Sequence, residues 1–218
     1  MLEKMQDFFE KRLSGYEEHM LANIEGAAEF YQFTARQLPR EAGCKILDLG
    51  CGTGLELEEY FTLNPDAHIT GIDLSAAMLG KLKKKFPHRN IHLINGSYFD
   101  IPFGDKTYNA AVSVESLHHF TEEQKMKLYR KLLHALTDDG YFILTDYFAE
   151  SDELEKAYFK NLEQLKKEQG IADNGFYHYD TPLTVAHEMK ILKAVGFSGV
   201  EILHNWGATY TIRAGHIT

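Results

Sequence analysis

The chain has 218 residues, 44% of them hydrophobic and 12% aromatic, which is enough apolar side chain to bury one full core and too little chain for two. Lys and Arg number 23 against 32 Asp and Glu, a formal net charge of −9, which argues against a nucleic acid or an anionic membrane as partner. The only cysteines, Cys44 and Cys51, flank a short strand whose ends stand too far apart for a disulfide. Two free thiols, no apolar run near the ~18 residues of a membrane span and no charged-then-apolar leader are the expected marks of a cytoplasmic protein.

In chain order, residues 1–40 read as a helical cap. Leu2, Met5, Phe8, Phe9 and Leu13 keep three-four spacing up to Ser14-Gly15, and a second helix is predicted over 16–38, stopped by Pro39. The stretch 44–54, C-K-I-L-D-L-G-C-G-T-G, is a buried parallel strand running into a turn with glycines at 50, 52 and 54. Such a turn lets the backbone approach a ligand with no Cβ in the way, and the helix that follows offers free N–H groups. Asp48 sits inside the strand, where a carboxylate needs a partner, and a ligand ammonium would serve.

Strand and helix then alternate. Helices are predicted over 55–61, 76–86 and 122–136, the last capped by Thr121, and strands over 68–73, 91–94, 108–113 and 140–145. This order implies parallel strands joined by right-handed crossovers, with the ligand at their carboxyl ends. Asp73, Ser97, Tyr98, Glu115 and His119 all fall at such ends, and an acid at the tip of the second strand can accept both hydroxyls of a ribose. The rhythm breaks over 146–182, a charged helix near 152–169 followed by the aromatic loop G-F-Y-H-Y-D at 175–180. A helix over 183–195 and strands over 199–204 and 208–213 close the chain.

With I-L-D-L-G-C-G-T-G at 46–54, G-I-D-L-S at 71–75 followed by Met78 and Leu79, N-G-S-Y at 95–98 and V-E-S-L-H-H-F at 114–120, the sequence resembles the class I S-adenosylmethionine (SAM) dependent methyltransferases, in particular the small-molecule enzymes of types 11 and 25. The resemblance covers about residues 45–145. It implies a single Rossmann-like domain, 1–218: a doubly wound seven-stranded sheet, mostly parallel with an antiparallel last strand. Residues 1–40 would cap it, and 146–182 would be an inserted lid. It further implies that SAM is held by Tyr16, Asp48, Gly50, Cys51, Gly52, Asp73, Leu74, Met78, Ser97, Tyr98 and Glu115. Ser97 departs from the family, which usually places an acid there to accept from the adenine amino group.

Methyl transfer from a sulfonium is an in-line displacement, so the protein mainly positions the acceptor and excludes water. His119 and His178 are the candidate catalytic residues, and the rings of Tyr16, His19, His119, Tyr177, His178 and Tyr179 suit a compact polar or aromatic acceptor. No metal is expected, because neighbouring His118 and His119 cannot both face one ion from a regular element. The pattern fixes no oligomeric state. Two rival readings share the glycine turn: a nicotinamide-dependent oxidoreductase, disfavoured by Asp48 and by G-x-G-x-G in place of G-x-G-x-x-G, and a non-catalytic SAM-binding regulator.

Overall fold

The computed structural model describes residues 1–172 and 175–216. The expected alternation holds from β1 (Lys45–Leu49) through α4 (Leu55–Leu63), β2 (His68–Asp73), α5 (Ala76–Lys85), β3 (Ile91–Asn95), β4 (Tyr108–Val114), α6 (Glu122–Ala135) and β5 (Leu136–Tyr147). After α7 (Asp152–Glu168) and α8 (Val185–Val195), β6 (Gly199–Trp206) and β7 (Thr209–Gly215) complete a seven-stranded sheet of order β3-β2-β1-β4-β5-β7-β6. β1 to β5 pair in parallel, and β7 runs antiparallel to both β5 and β6. The order reverses between β1 and β4, and the crevice at that switch point is where an open α/β sheet binds its ligand.

Alternation along the central strands sorts side chains to two cores. Leu47, Leu49, Ala111, Phe142 and Leu144 pack toward α6 and α8, while Ile46, Ile69, Ala110, Val112 and Ile143 pack toward α4, α5 and the helix preceding β1. α6 starts on a reciprocal cap in which the Thr121 side chain accepts from the Gln124 backbone and Gln124 accepts from Thr121. α6 and α8 are joined by a buried ion pair, Lys125 Nζ to Glu188 Oε2 at 2.5 Å, and Tyr129 donates its hydroxyl to the same carboxylate.

Two expectations are corrected. The single helix over 16–38 is two, α2 (Tyr16–Asn23) and α3 (Ala27–Arg36), following α1 (Met5–Arg12). Gly26 breaks it at φ +74°, and the Trp206 ring lies where a Cβ on Gly26 would stand, so the chain turns there to pack α3 under β6. β5 begins at Leu136 and not near 140, because Leu136 pairs with Tyr108 before a register shift restores regular pairing from Ala110.

Candidate active site

The glycine turn sits between β1 and α4 at the switch point. Gly50, Gly52 and Gly54 all have positive φ, from +49° to +73°. A Cβ on Gly50 would run into Ser116 Oγ, whereas one on Gly52 would meet no atom closer than 3.9 Å, so the open side of the turn faces a cleft. Asp73, at the end of β2, holds the turn from across: its Oδ2 accepts from Gly52 N–H at 2.9 Å and its Oδ1 from Ser75 N–H at 2.8 Å. Burial lifts the Asp73 carboxyl above its ordinary range, and these two N–H groups pull it partly back.

The cleft, about 50 Å³, is lined by Tyr16, Gly50, Gly52, Asp73, Leu74, Met78, Tyr98, Glu115 and His119, nine of the residues expected at the site. Met5, Phe9, Val114 and Ser116 complete its wall. α1 lies over it, tied down by Met5 N–H donating to Phe176 O at 2.9 Å and His178 N–H donating to Glu3 O at 3.0 Å. The cover is thus made jointly by the N-terminal segment and the 175–180 loop, a pairing that neither stretch announces by itself.

Three further residues expected to contact the cofactor do not line the cleft. Asp48 is almost fully buried behind the turn beside Glu56 of α4, and its Oδ2 has no hydrogen-bond partner among the described residues. Burial and the neighbouring Glu56 lift the Asp48 carboxyl well above its ordinary range, and burial lifts Glu56. Cys51 is buried with its sulfur against Gly71, and its thiol is pushed up by burial and by Asp48. Ser97 spends its hydroxyl on the Phe99 N–H at 3.1 Å and does not line the cleft.

A second cavity, about 820 Å³, adjoins the cleft and shares Phe9, Tyr16, Glu115 and His119 with it. Its remaining wall includes His19, Met20, Ile24, His118, Tyr147, His178, Asp180 and Thr209. Of the rings expected to face an acceptor, Tyr177 and Tyr179 are absent from this wall, because the 175–180 loop turns only alternate side chains inward. α7, the helix of the expected lid, contributes nothing to either cavity; it packs on the start of α8, where Glu155 accepts from the Thr184 N–H at 2.7 Å. Residues 173–174 of that expected lid lie outside the described residues.

The floor of the second cavity is a chain of charged groups. His118 Nδ1 donates to Asp146 Oδ1 at 2.5 Å, and Asp146 also accepts the backbone N–H groups of Leu117 at 2.8 Å and Tyr147 at 2.9 Å. Burial works against a charged His118, but the Asp146 carboxylate outweighs it and holds the imidazole up at about 9. His119, buried and beside cationic His118, is shifted down, and His178, stacked on Phe8 with ring centres 3.4 Å apart, falls to about 4 through burial and the neighbouring His119. Glu115, lifted to about 8 by burial and by Asp146, holds a left-handed backbone conformation at φ +49°, a strain found where a side chain is aimed at a site. Asp146, Asp180 and Glu56 went unseen in the sequence. Asp146 directly ends an apolar strand, which was the available signal, whereas Asp180 reaches the site only through the fold.

Comparison with known proteins agrees with this geometry. Residues 46–140 match a family model described as "Methyltransferase domain". The chain is 26% identical over 173 residues to carboxy-S-adenosyl-L-methionine synthase of Nautilia profundicola, an alignment covering 74% of this chain and 73% of that protein. It is 27% identical over 126 residues to tRNA (carboxymethyluridine(34)-5-O)-methyltransferase of Saccharomyces cerevisiae, covering 57% of this chain but only 43% of that one. The crystal structure of human N-acetylserotonin methyltransferase in complex with SAM superposes with a TM-score of 0.66 at 17% identity, covering 96% of this chain and 58% of that one, which shows a shared fold. With the glycine turn and the second-strand acid lining one cleft at the switch point of a 3-2-1-4-5-7-6 sheet, the methyltransferase-domain match over residues 46–140 and the methyltransferase relatives support a class I SAM-dependent methyltransferase.

Proposed function

We propose that this protein transfers the methyl group of SAM to a small polar or aromatic acceptor held in the cavity beside the cofactor cleft. The observation that carries the reading is the shared wall: Phe9, Tyr16, Glu115 and His119 border both spaces, so a group in one faces a group in the other across a single layer of side chains. About 820 Å³ lies within the range of small-molecule sites. The lining chemistry, not the cleft's present volume of about 50 Å³, fits the cofactor: Gly52 leaves an open cradle, Asp73 presents a carboxylate with acceptor capacity beyond the two N–H groups it holds, and Leu74, Met78 and Tyr98 offer apolar surface for a nucleoside. When bound, SAM supplies a methyl group on a positively charged sulfur.

The chain's own residues have three tasks. α1 and the 175–180 loop exclude water, the aromatic faces of Phe9 and Tyr16 stand where they can hold a cation without consuming it, and His119 and His178 orient the acceptor. A relative that acts on tRNA leaves the macromolecular alternative open to test, but the walls here answer to a compact ligand. The net charge of −9 and the enclosing cover both weigh against a nucleic acid strand. Ile24 borders only the acceptor cavity, so Ile24→Trp should fill it, lowering turnover at least tenfold with SAM affinity within twofold of wild type. Unchanged turnover in that variant would show that the acceptor binds elsewhere.

A further inference from the structure

Three donors converge on the floor of the acceptor cavity. His118 Nε2, His119 Nδ1 and an Asp180 carboxylate oxygen all lie within 4.8 Å of one another. Asp180 Oδ1 stands 3.6 Å from His118 Nε2 and 3.3 Å from His119 Nδ1. Ligand atoms bound to one ion at about 2.0–2.2 Å in a tetrahedral array stand about 3.3–3.6 Å apart, so the carboxylate oxygen is at coordination spacing from both imidazoles. The two histidines can face one point because residues 117–119 form a single 3₁₀ turn, not the regular strand or helix that would send neighbours apart; their ring centres are 4.0 Å apart.

The surroundings are those of a built site. Asp146 accepts the Nδ1–H of His118 and is itself fixed by two backbone N–H groups, which leaves Nε2 turned to the cavity, where an ion would displace its proton. A carboxylate behind a ligating histidine is the usual support of a metal-bound imidazole. Asp180 is positioned by its neighbour, since Thr181 N–H donates to His118 O at 2.8 Å. On the other side the Tyr179 carbonyl lies 3.2 Å from His119 Nδ1, a contact that an ion would replace or recruit as a further oxygen ligand.

We propose that His118, His119 and Asp180 bind one divalent transition-metal ion whose open positions face the acceptor cavity. Two imidazoles and one carboxylate favour Zn²⁺, Fe²⁺, Co²⁺ or Mn²⁺ over the harder Mg²⁺ and Ca²⁺. An acceptor hydroxyl on the ion ionises readily and gives its proton to solvent, so an oxygen nucleophile stands at the shared wall. There its new bond to the methyl carbon forms as the sulfur–carbon bond breaks, sulfur keeping the electron pair. That step rests on the methyltransferase reading above; the ion site does not.

The test is a calorimetric titration of the full chain, stripped with chelator and free of SAM, with ZnCl₂, MnCl₂ and MgCl₂. One equivalent of Zn²⁺ should bind, Mn²⁺ more weakly and Mg²⁺ least. Asp180→Ala should weaken Zn²⁺ about 100-fold or more, and Asp146→Asn about 10- to 100-fold, with thermal melting and SAM affinity of the Asp180 variant unchanged. Asp180 is 48% exposed, so its removal does not threaten the fold. No stoichiometric Zn²⁺, or Zn²⁺ binding that survives both Asp180→Ala and His119→Ala, overturns the site. Zn²⁺ binding as described in a protein with no SAM affinity would uphold the ion site while overturning the methyltransferase reading.

Discussion

Replacing Asp73 separates a cofactor ligand from a residue that merely shapes the turn. Its two oxygens accept from Gly52 N–H at 2.9 Å and Ser75 N–H at 2.8 Å, so the carboxylate holds both the glycine turn and the entry to α5. Each such charge-assisted bond contributes about 1.5–3 kcal/mol. Asp73→Ala loses both but also relieves the burial that raises this carboxyl, so it should cost the unliganded fold less than that sum, about 1–3 kcal/mol, and Asp73→Asn, which keeps one acceptor, less again. The remaining lone pairs face the cleft, where they can take ribose hydroxyls. Losing that charged acceptor should cost a further 1.5–3 kcal/mol or so of binding, roughly a 10- to 150-fold rise in Kd. Calorimetry with SAM and S-adenosylhomocysteine on Asp73→Asn, well below its melting temperature, reads the binding part alone. A folded Asn variant that binds SAM within twofold of wild type would refute the role.

Asp48 and Glu56 are both raised by burial in the folded state, so the folded chain holds protons that the unfolded chain releases. Their contribution to stability is fully present below about pH 4, the unfolded carboxylate range, and is lost as pH rises through the folded values. Asp48→Asn should therefore flatten the fall in melting temperature as pH rises above the unfolded carboxylate range; an unaltered pH slope would speak against the raised titration of these buried acids. Gly50→Ala should cost about 2 kcal/mol or more through its φ of +73° and the clash with Ser116 Oγ, and it should abolish SAM binding. Adding Ser116→Gly should relieve the clash but not the strain, so complete rescue would show that backbone conformation matters little there. Glu188→Gln strands buried Lys125 beside Tyr129 and should cost about 3–5 kcal/mol, or roughly 6–20 °C in Tm, whereas a loss below 1 kcal/mol would mean that the pair is hydrated.

The parallel sheet was legible in the sequence because each strand ended in punctuation: glycines after Leu49, an acid at Asp73, and the Thr121 cap before α6. What escaped depended on contacts between distant segments. Gly26 within a long helical pattern reads as a tolerated glycine, and only Trp206, 180 positions later, makes it a corner. Asp48 reads as a ligand acid because its buried neighbour Glu56 looks like an ordinary first-turn residue of α4. The donors around His118 come from the end of β5 and from the 175–180 loop, brought together by the antiparallel pairing of Lys4 with Tyr177 and the bond from Thr181 to His118. Local periodicity carries none of that information. Glycine turns and strand-end acids announce themselves locally; a cavity built from five separated stretches does not.

The central claim is that cofactor and acceptor face each other across one shared wall. Its most direct test is to incubate the protein with methyl-labelled SAM and a fractionated cell extract, then follow the label into small molecules, RNA and protein. The account predicts label in a discrete small molecule, with transfer lost in Ile24→Trp and unaffected by removing RNA. Label appearing only in RNA or in a large folded protein, with no small molecule competing for it, would contradict it.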